Sequence, residues 1–325
     1  MRRREFITLI GSAVAAWPVA SHAQQTNRLR RIGLLMTIAE KEPEAQVRLS
    51  AFRAGLREKG WIEGRNIQIE YRFAAGEPER ARAAAGDLVK LAPDVILANG
   101  RAILAALKQA TTTIPIVFVL VPDPVGDGFI SSLAKPGGNL TGITNFEYDM
   151  GGKWVGFLKE VAPRVSRTLL IFNPESAPYT RHFLQSAKQG VDATLAPVKD
   201  DREIERTFSE IGDKTSTGVI VMPDLFTSGH RATIISQAAA NQIPTIYPFG
   251  FFAAEGGLLS YGVDNSNQFY RSAAYIDRIF KSEKPSDLPV EAPTKFELMI
   301  NLKTAKSLGL SVPATLLSQA DKIFE

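Results

Sequence analysis

Two residues carry the most direct chemistry in this sequence. Asp224 follows a buried apolar run, Gly218 to Met222, and Arg101 opens a helical stretch behind Asn99-Gly100. A carboxylate set directly after an apolar strand suits a ligand ammonium. A guanidinium at a helix start, where backbone N–H groups are also free, suits an acidic group. Each has a plainer alternative: Asp224 as a helix or turn cap, and Arg101 as a solvated surface side chain. Thr37, Asn99, Gly100, Asp123, Asn173 and Ser176 occupy the same kind of place, just past apolar runs. Tyr179, Phe226, Phe249 and Tyr261 could supply the apolar walls of a pocket, or pack in the core.

The chemistry that is absent narrows the classes. The chain has no cysteine, which removes disulfides, thiolate catalysis and thiolate metal sites. Its three histidines, His22, His182 and His230, stand in no ligand spacing, so no metal is expected. There is no GxSxG and no GxGxxG after the first strand, and Gly151-Gly152-Lys153 lacks the first glycine and following Ser or Thr of a Walker A loop. No cofactor is expected, and the chain reads as a binder and not an enzyme. The formal net charge is +4 in 325 residues, with Lys and Arg interspersed among Asp and Glu in the body. That pattern reads as a mixed solvated surface and not a nucleic-acid face.

The elements that must position these residues alternate. Runs at 31–36, 67–73, 93–98 and 114–121 read as strands, separated by helical patterns over 44–59, 76–91 and 101–110. Leu49, Phe52 and Leu56 share one helical face, with Gly60 where a C′ glycine belongs. After 114–121 the chain breaks at Pro122-Asp123-Pro124, passes a short amphipathic stretch (Phe129, Ile130, Leu133), turns at 135–139 and makes a short strand at 140–144. The alternation then resumes to 247, with Asp201 read as the N-cap of a helix over 202–211. Residues 258–261 and 296–300 read as further strands, 267–280 as a helix, and the C-terminus as helical. This spacing predicts α/β architecture, two doubly wound parallel-sheet lobes joined by a hinge. Ligands of such sheets sit beyond the carboxyl ends of the strands, which is why the exit loops supply the candidate residues.

The N-terminus reads as an address. Arg2-Arg3-Arg4 precedes an apolar stretch from Leu9 to Ala20 and the small-x-small sequence Ser21-His22-Ala23. This predicts an export signal of twin-arginine type over 1–23, cleaved near Ala23, and a soluble periplasmic product. The expected organisation is then 24–143 for the first part of lobe 1, 144–247 for lobe 2, 248–288 returning to lobe 1, and 289–325 crossing back.

Several stretches together resemble the substrate-binding components of ABC importers, and within these the group that includes tryptophan and tyrosine binders. They are 55–61 (GLREKGW), Asp123-Pro124-Val125, 135–142 (KPGGNLTG), Pro223-Asp224, and 301–305 (NLKTA). The resemblance implies a type I periplasmic binding-protein fold with three crossings between lobes, ligand in the cleft and closure about the hinge. It also implies a monomer that serves an ABC permease and ATPase and takes a small organic solute, an amino acid or an aromatic or carboxylate compound. The aromatic amino acid binders carry Thr/Ser-Pro-Ala at the third strand exit and Asp-Asn after the later proline. Here those places read Asn99-Gly100-Arg101 and Asp224-Leu225. A sensory receptor of the same fold and a carboxylate-dependent periplasmic hydrolase are the rival readings.

Overall fold

The structure is a computed structural model that describes residues 29–145, 147 and 149–325. The expected export signal and its cleavage site lie outside the described residues.

Five strands build a first sheet: β1 (Arg30–Met36), β2 (Ile67–Phe73), β3 (Val95–Asn99), β4 (Ile116–Val121) and β5 (Leu140–Thr144), in the order β2-β1-β3-β4-β5. All pairings are parallel. The inner strand β3 is buried at every position, and so is the edge strand β5, which Glu291 flanks through a bridge to Ile143, whereas the opposite edge strand β2 is only partly buried. Helices α1 (Pro43–Glu58), α2 (Pro78–Lys90) and α3 (Arg101–Ala110) alternate with them, and the short amphipathic stretch around Phe129 forms turns, not a helix.

The second sheet comprises β6 (Arg167–Phe172), β7 (Asp192–Pro197), β8 (Thr217–Val221), β9 (Thr245–Tyr247), β10 (Leu259–Val263), β11 (Phe296–Asn301) and β12 (Lys322–Phe324), ordered β12-β11-β10-β9-β8-β6-β7. Its helices are α4 (Met150–Val161), α5 (Thr180–Ala187), α6 (Asp201–Ser209), α7 (Leu225–Gly229), α8 (Arg231–Ala240), α9 (Gly250–Ala254), α11 (Leu302–Ser307) and α12 (Ala314–Leu317). Helix α10 (Asn265–Phe280) returns to the first sheet and packs on α1. Each sheet has an apolar cluster on either face, giving two three-layer lobes.

Three expectations need correction. Residues 248–263 do not return to lobe 1. Strand β10 pairs in parallel with β9, so the chain leaves the second sheet only at Asp264. Asp200, not Asp201, caps α6, accepting the Glu203 N–H at 2.8 Å, while Asp201 begins the helix and faces His230. The C-terminus also holds a strand, β12, which the sequence reading missed because it is only three residues long. One pairing is antiparallel, β10 with β11. The chain enters β11 after crossing back from lobe 1, so it starts at the cleft end and must run against its neighbour.

The seam between α1 and α10 explains the stretch 55–61. A Cβ on Gly55 would lie 2.3 Å from the Tyr270 carbonyl oxygen, so only glycine lets the two backbones touch there. Gly60 terminates α1 at φ +85°, and Trp61 then turns onto α10, donating from Nε1 to Asp277 at 3.0 Å and lying edge-on to Phe280.

The three crossings run side by side. The first follows Thr144 at the end of β5 and leads to α4, Asp264 joins β10 to α10, and residues 292–295 lead from Glu291, beside Ile143, to β11. Asp264 N–H donates to the Lys295 carbonyl at 3.1 Å, and Lys295 Nζ lies 2.8 Å from Asp264 Oδ2.

Candidate functional site

Because both sheets are mostly parallel, the exits of β1, β3 and β4 face those of β6, β8 and β9 across the hinge. The approach of the two sets is measurable. Asp123, past β4, lies 3.8 Å from His182 Nε2 on α5. A Cβ on Gly76, past β2, would stand 4.0 Å from Leu225 Cδ2 at the start of α7. Between them the Tyr179 phenol feels Asp224 of its own lobe together with Arg101 and Asp127 of the other. Burial raises its pKa well above the usual value, Asp224 raises it further, and Arg101 works against both. Its hydroxyl donates to the Pro223 carbonyl at 2.6 Å.

Asp224 is the centre of the second-lobe side. It caps α7, accepting the Thr227 N–H at 2.7 Å, and takes the Asn173 N–H at 3.4 Å, so the cap reading holds. The side chain is buried, and none of the described residues forms a salt bridge with it. Burial therefore lifts its pKa to about 6, against the opposing pull of the Thr227 and Asn173 N–H groups. Ser176 lies beside the same carboxylate, but its buried Oγ completes no hydrogen bond.

Several expected contact residues turn out to shape loops. Thr37 donates from Oγ1 to the Asn99 carbonyl and from N–H to Asn99 Oδ1 at 3.2 Å, locking the β1 and β3 exits together. Gly100 sits at φ +87°, and a Cβ there would come within 2.9 Å of Thr37 Oγ1, so this tight turn needs glycine. Asn173 holds its own loop, taking the N–H groups of Glu175 and Ser176 and donating to the Val198 carbonyl. Asp123 accepts the Gly126 N–H at 2.8 Å, a turn that presents Asp127 to Arg101. Arg101 Nε donates to Asp127 Oδ2 at 2.7 Å, so the guanidinium already has a carboxylate partner within lobe 1.

A small cavity of ≈ 20 Å³, about the room of one water and far below the usual range for small-molecule sites, lies on the second-lobe side beside the first crossing. Phe249 is on its wall, with Met150, Trp154, Phe183, Val263 and Asn145 among the rest. Two expected wall residues sit elsewhere. Tyr261 packs between Phe157 and Phe296, because in β10 its side chain falls on the α4 face of the sheet, while its neighbour Gly262 borders the cavity. Phe226 stacks on His230 at 4.2 Å.

Asp127, Asn145, His182 and Phe183 were not anticipated. A signal existed for two of them: Tyr179, His182 and Phe183 have the i, i+3, i+4 spacing of one helical face. Asn145 sits in a crossing, and Asp127 depends on a turn that periodicity does not reveal. Among the described residues, no three His, Cys, Asp or Glu side chains gather as metal ligands, and no helix is long and apolar enough to cross a membrane.

Two mostly parallel-sheet lobes joined by three crossings match the type I periplasmic binding-protein fold. The sequence matches the ABC transporter substrate binding protein family over residues 36–324, and the chain belongs to that family. It is similar to a tyrosine-binding protein of Clostridioides difficile, 24% identical over 291 residues that cover 88% of this chain and 82% of that one. Among solved structures it is similar to a conserved domain protein from Vibrio cholerae, with TM-score 0.83 and 26% identity over 91% of this chain and 100% of the other. A domain from Streptococcus pneumonia in complex with L-Trp gives TM-score 0.83 and 21% identity at the same two coverages. A ligand-free, open substrate-binding protein with adhesive properties from Clostridium difficile gives TM-score 0.73 and 22% identity, over 91% of this chain and 99% of that one.

Proposed function

We propose that this protein is the extracytoplasmic solute-binding component of an ABC importer, closing its lobes on a small organic solute and presenting the closed form to a membrane permease. The observation that carries this reading is the cluster around Tyr179. Tyr179 lies within electrostatic reach of Asp224 of its own lobe and of Arg101 and Asp127 of the other, and Pro223, which accepts its hydroxyl, borders the small aromatic cavity. A solute seated there touches both lobes, so it binds the closed arrangement better than the open one, and that differential contact drives closure. The role requires no covalent step. Export by the N-terminal signal would place the protein in the periplasm as a monomer serving its permease and ATPase. The names of two relatives, a tyrosine binder and an L-Trp complex, support an aromatic, nitrogen-bearing solute.

Native mass spectrometry of the protein purified from its own periplasm tests the reading. A single small molecule bound at one per chain and released intact on denaturation is expected. Release of a chemically altered compound during incubation would instead mark an enzyme.

A further inference from the structure

Two buried aspartates in this chain are built alike and differ in one respect. Asp264 caps α10, accepting the Asn267 N–H at 3.0 Å, and is 6% exposed; Asp224 caps α7, accepting the Thr227 N–H at 2.7 Å, and is 7% exposed. Asp264 has a cation, Lys295, at 2.8 Å. Asp224 has none among the described residues, although it stands where the lobes meet.

The other charges in the cleft do not compensate. The guanidinium best placed to hold a ligand carboxylate, Arg101, is engaged by Asp127, and Asp123 adds a further carboxylate opposite His182. Acidic groups thus outnumber the guanidinium here. One unsatisfied polar atom points the same way. Asn145 borders the cavity, and its Oδ1 is a buried acceptor with no partner. The walls from Trp154, Phe183 and Phe249 offer ring faces, which attract cations as well as apolar groups.

From this arrangement we infer that the solute of this cleft is an apolar organic cation, an amine that meets Asp224 and bears no carboxylate of its own. The inference rests on the solute-binding reading above and narrows it. An ammonium brings three donors and no acceptor, which matches a carboxylate and an orphaned amide oxygen. A ligand carboxylate would be repelled by Asp127 and Asp123 and would have to share Arg101 with Asp127. The contrast in acidity agrees. Burial lifts Asp224 to about 6, whereas hydrogen bonds from Lys295, Ser266 and the Asn267 N–H outweigh burial and hold Asp264 below the usual carboxylate range.

The test is calorimetric titration of the full protein at pH 7.5 with phenethylamine, tyramine and tryptamine. Each is compared with its parent amino acid and with the matching acid that lacks the amine. At least one amine should bind about tenfold or more tightly than its parent amino acid, the cost of leaving a buried charge without its partner. Its affinity should fall as the pH drops through about 6 and Asp224 takes up a proton. This second readout uses the unaltered protein. Tighter binding of an amino acid or of an amine-free acid, or affinity independent of pH between 5 and 7.5, overturns the amine inference. So does the absence of binding by all three amines. Small-angle scattering separates the two levels: if an amino acid or acid closes the lobes, the solute-binding reading stands while the amine inference falls. If no probe closes them and the native protein carries no metabolite, both fall.

Discussion

Lys295 Nζ lies 2.8 Å from Asp264 Oδ2, and the pair ties the second crossing between the lobes to the third. The lysine is half exposed, which limits its contribution to about 1 kcal/mol. Lys295→Met should lower stability by that amount at neutral pH. Asp264 is held below the usual carboxylate range, so its stabilisation is present at neutral pH and is lost as the pH falls below about 4 through its folded value. Urea denaturation at pH 7 and pH 3 checks this: the variant and the parent should converge on the acid side.

Asp224 has the opposite sign. Its folded pKa is raised from 3.8 to about 6, so the folded state holds the proton more tightly than the unfolded chain. The stability this gives is full below about pH 4 and is lost as pH rises through about 6. A shift of about two units corresponds to roughly 3 kcal/mol. Asparagine keeps the cap on α7. The ligand-free Asp224→Asn protein should therefore be more stable than the parent by about 1–3 kcal/mol at pH 7.5, with no gain at pH 4. Chemical denaturation at both pH values measures it. A protein that keeps a destabilising carboxylate sacrifices stability for function, and a variant less stable than the parent at pH 7.5 would return Asp224 to a purely structural role.

The contact between His182 and Asp123 bridges the lobes at 3.8 Å with both side chains partly exposed. Pairs of this kind contribute about 0.2–1 kcal/mol. His182→Ala should shift the ligand-free population toward the open form and weaken solute binding about two- to fivefold, leaving the melting temperature of either lobe nearly unchanged. Scattering profiles of the ligand-free variant and parent provide the comparison.

Gly55→Ala should cost about 2–3 kcal/mol, because the added methyl meets the Tyr270 backbone and forces α1 away from α10. The same substitution at Gly86, whose Cβ would meet nothing within 4 Å, should be neutral or mildly stabilising. Thermal melts of the two variants distinguish a packing constraint from a general effect of helix composition.

Much of the architecture is legible in the residues. Apolar runs such as Ile116–Val121 and amphipathic stretches such as Leu49, Phe52 and Leu56 declare buried strands and covering helices through their periods alone. The site was partly legible. The rule that ligands sit beyond strand ends found Arg101, Tyr179, Asp224 and Phe249, which the structure brings to the cleft and the small cavity beside it. It does not separate a side chain aimed at the cleft from one that ties a loop, and Thr37, Asn99 and Asn173 each brace a loop in the structure. Tyr261 failed for another reason. Adjacent strand residues point to opposite faces, and one position decides between core and cavity. Residue period also gave no signal for the late return to lobe 1 at Asp264, because β10 looks like any other strand until its neighbours are known.

On the proposed function, a solute draws the two lobes together through Asp224 and the Arg101–Asp127 pair. Small-angle X-ray scattering on the protein, first stripped of bound metabolite and then reloaded with the molecule identified by native mass spectrometry, tests it most directly. The radius of gyration should fall on loading for the parent protein. For Asp224→Asn it should change little or not at all at the same concentration. An unchanged radius with the solute demonstrably bound, or equal contraction in both proteins, would contradict the proposed function.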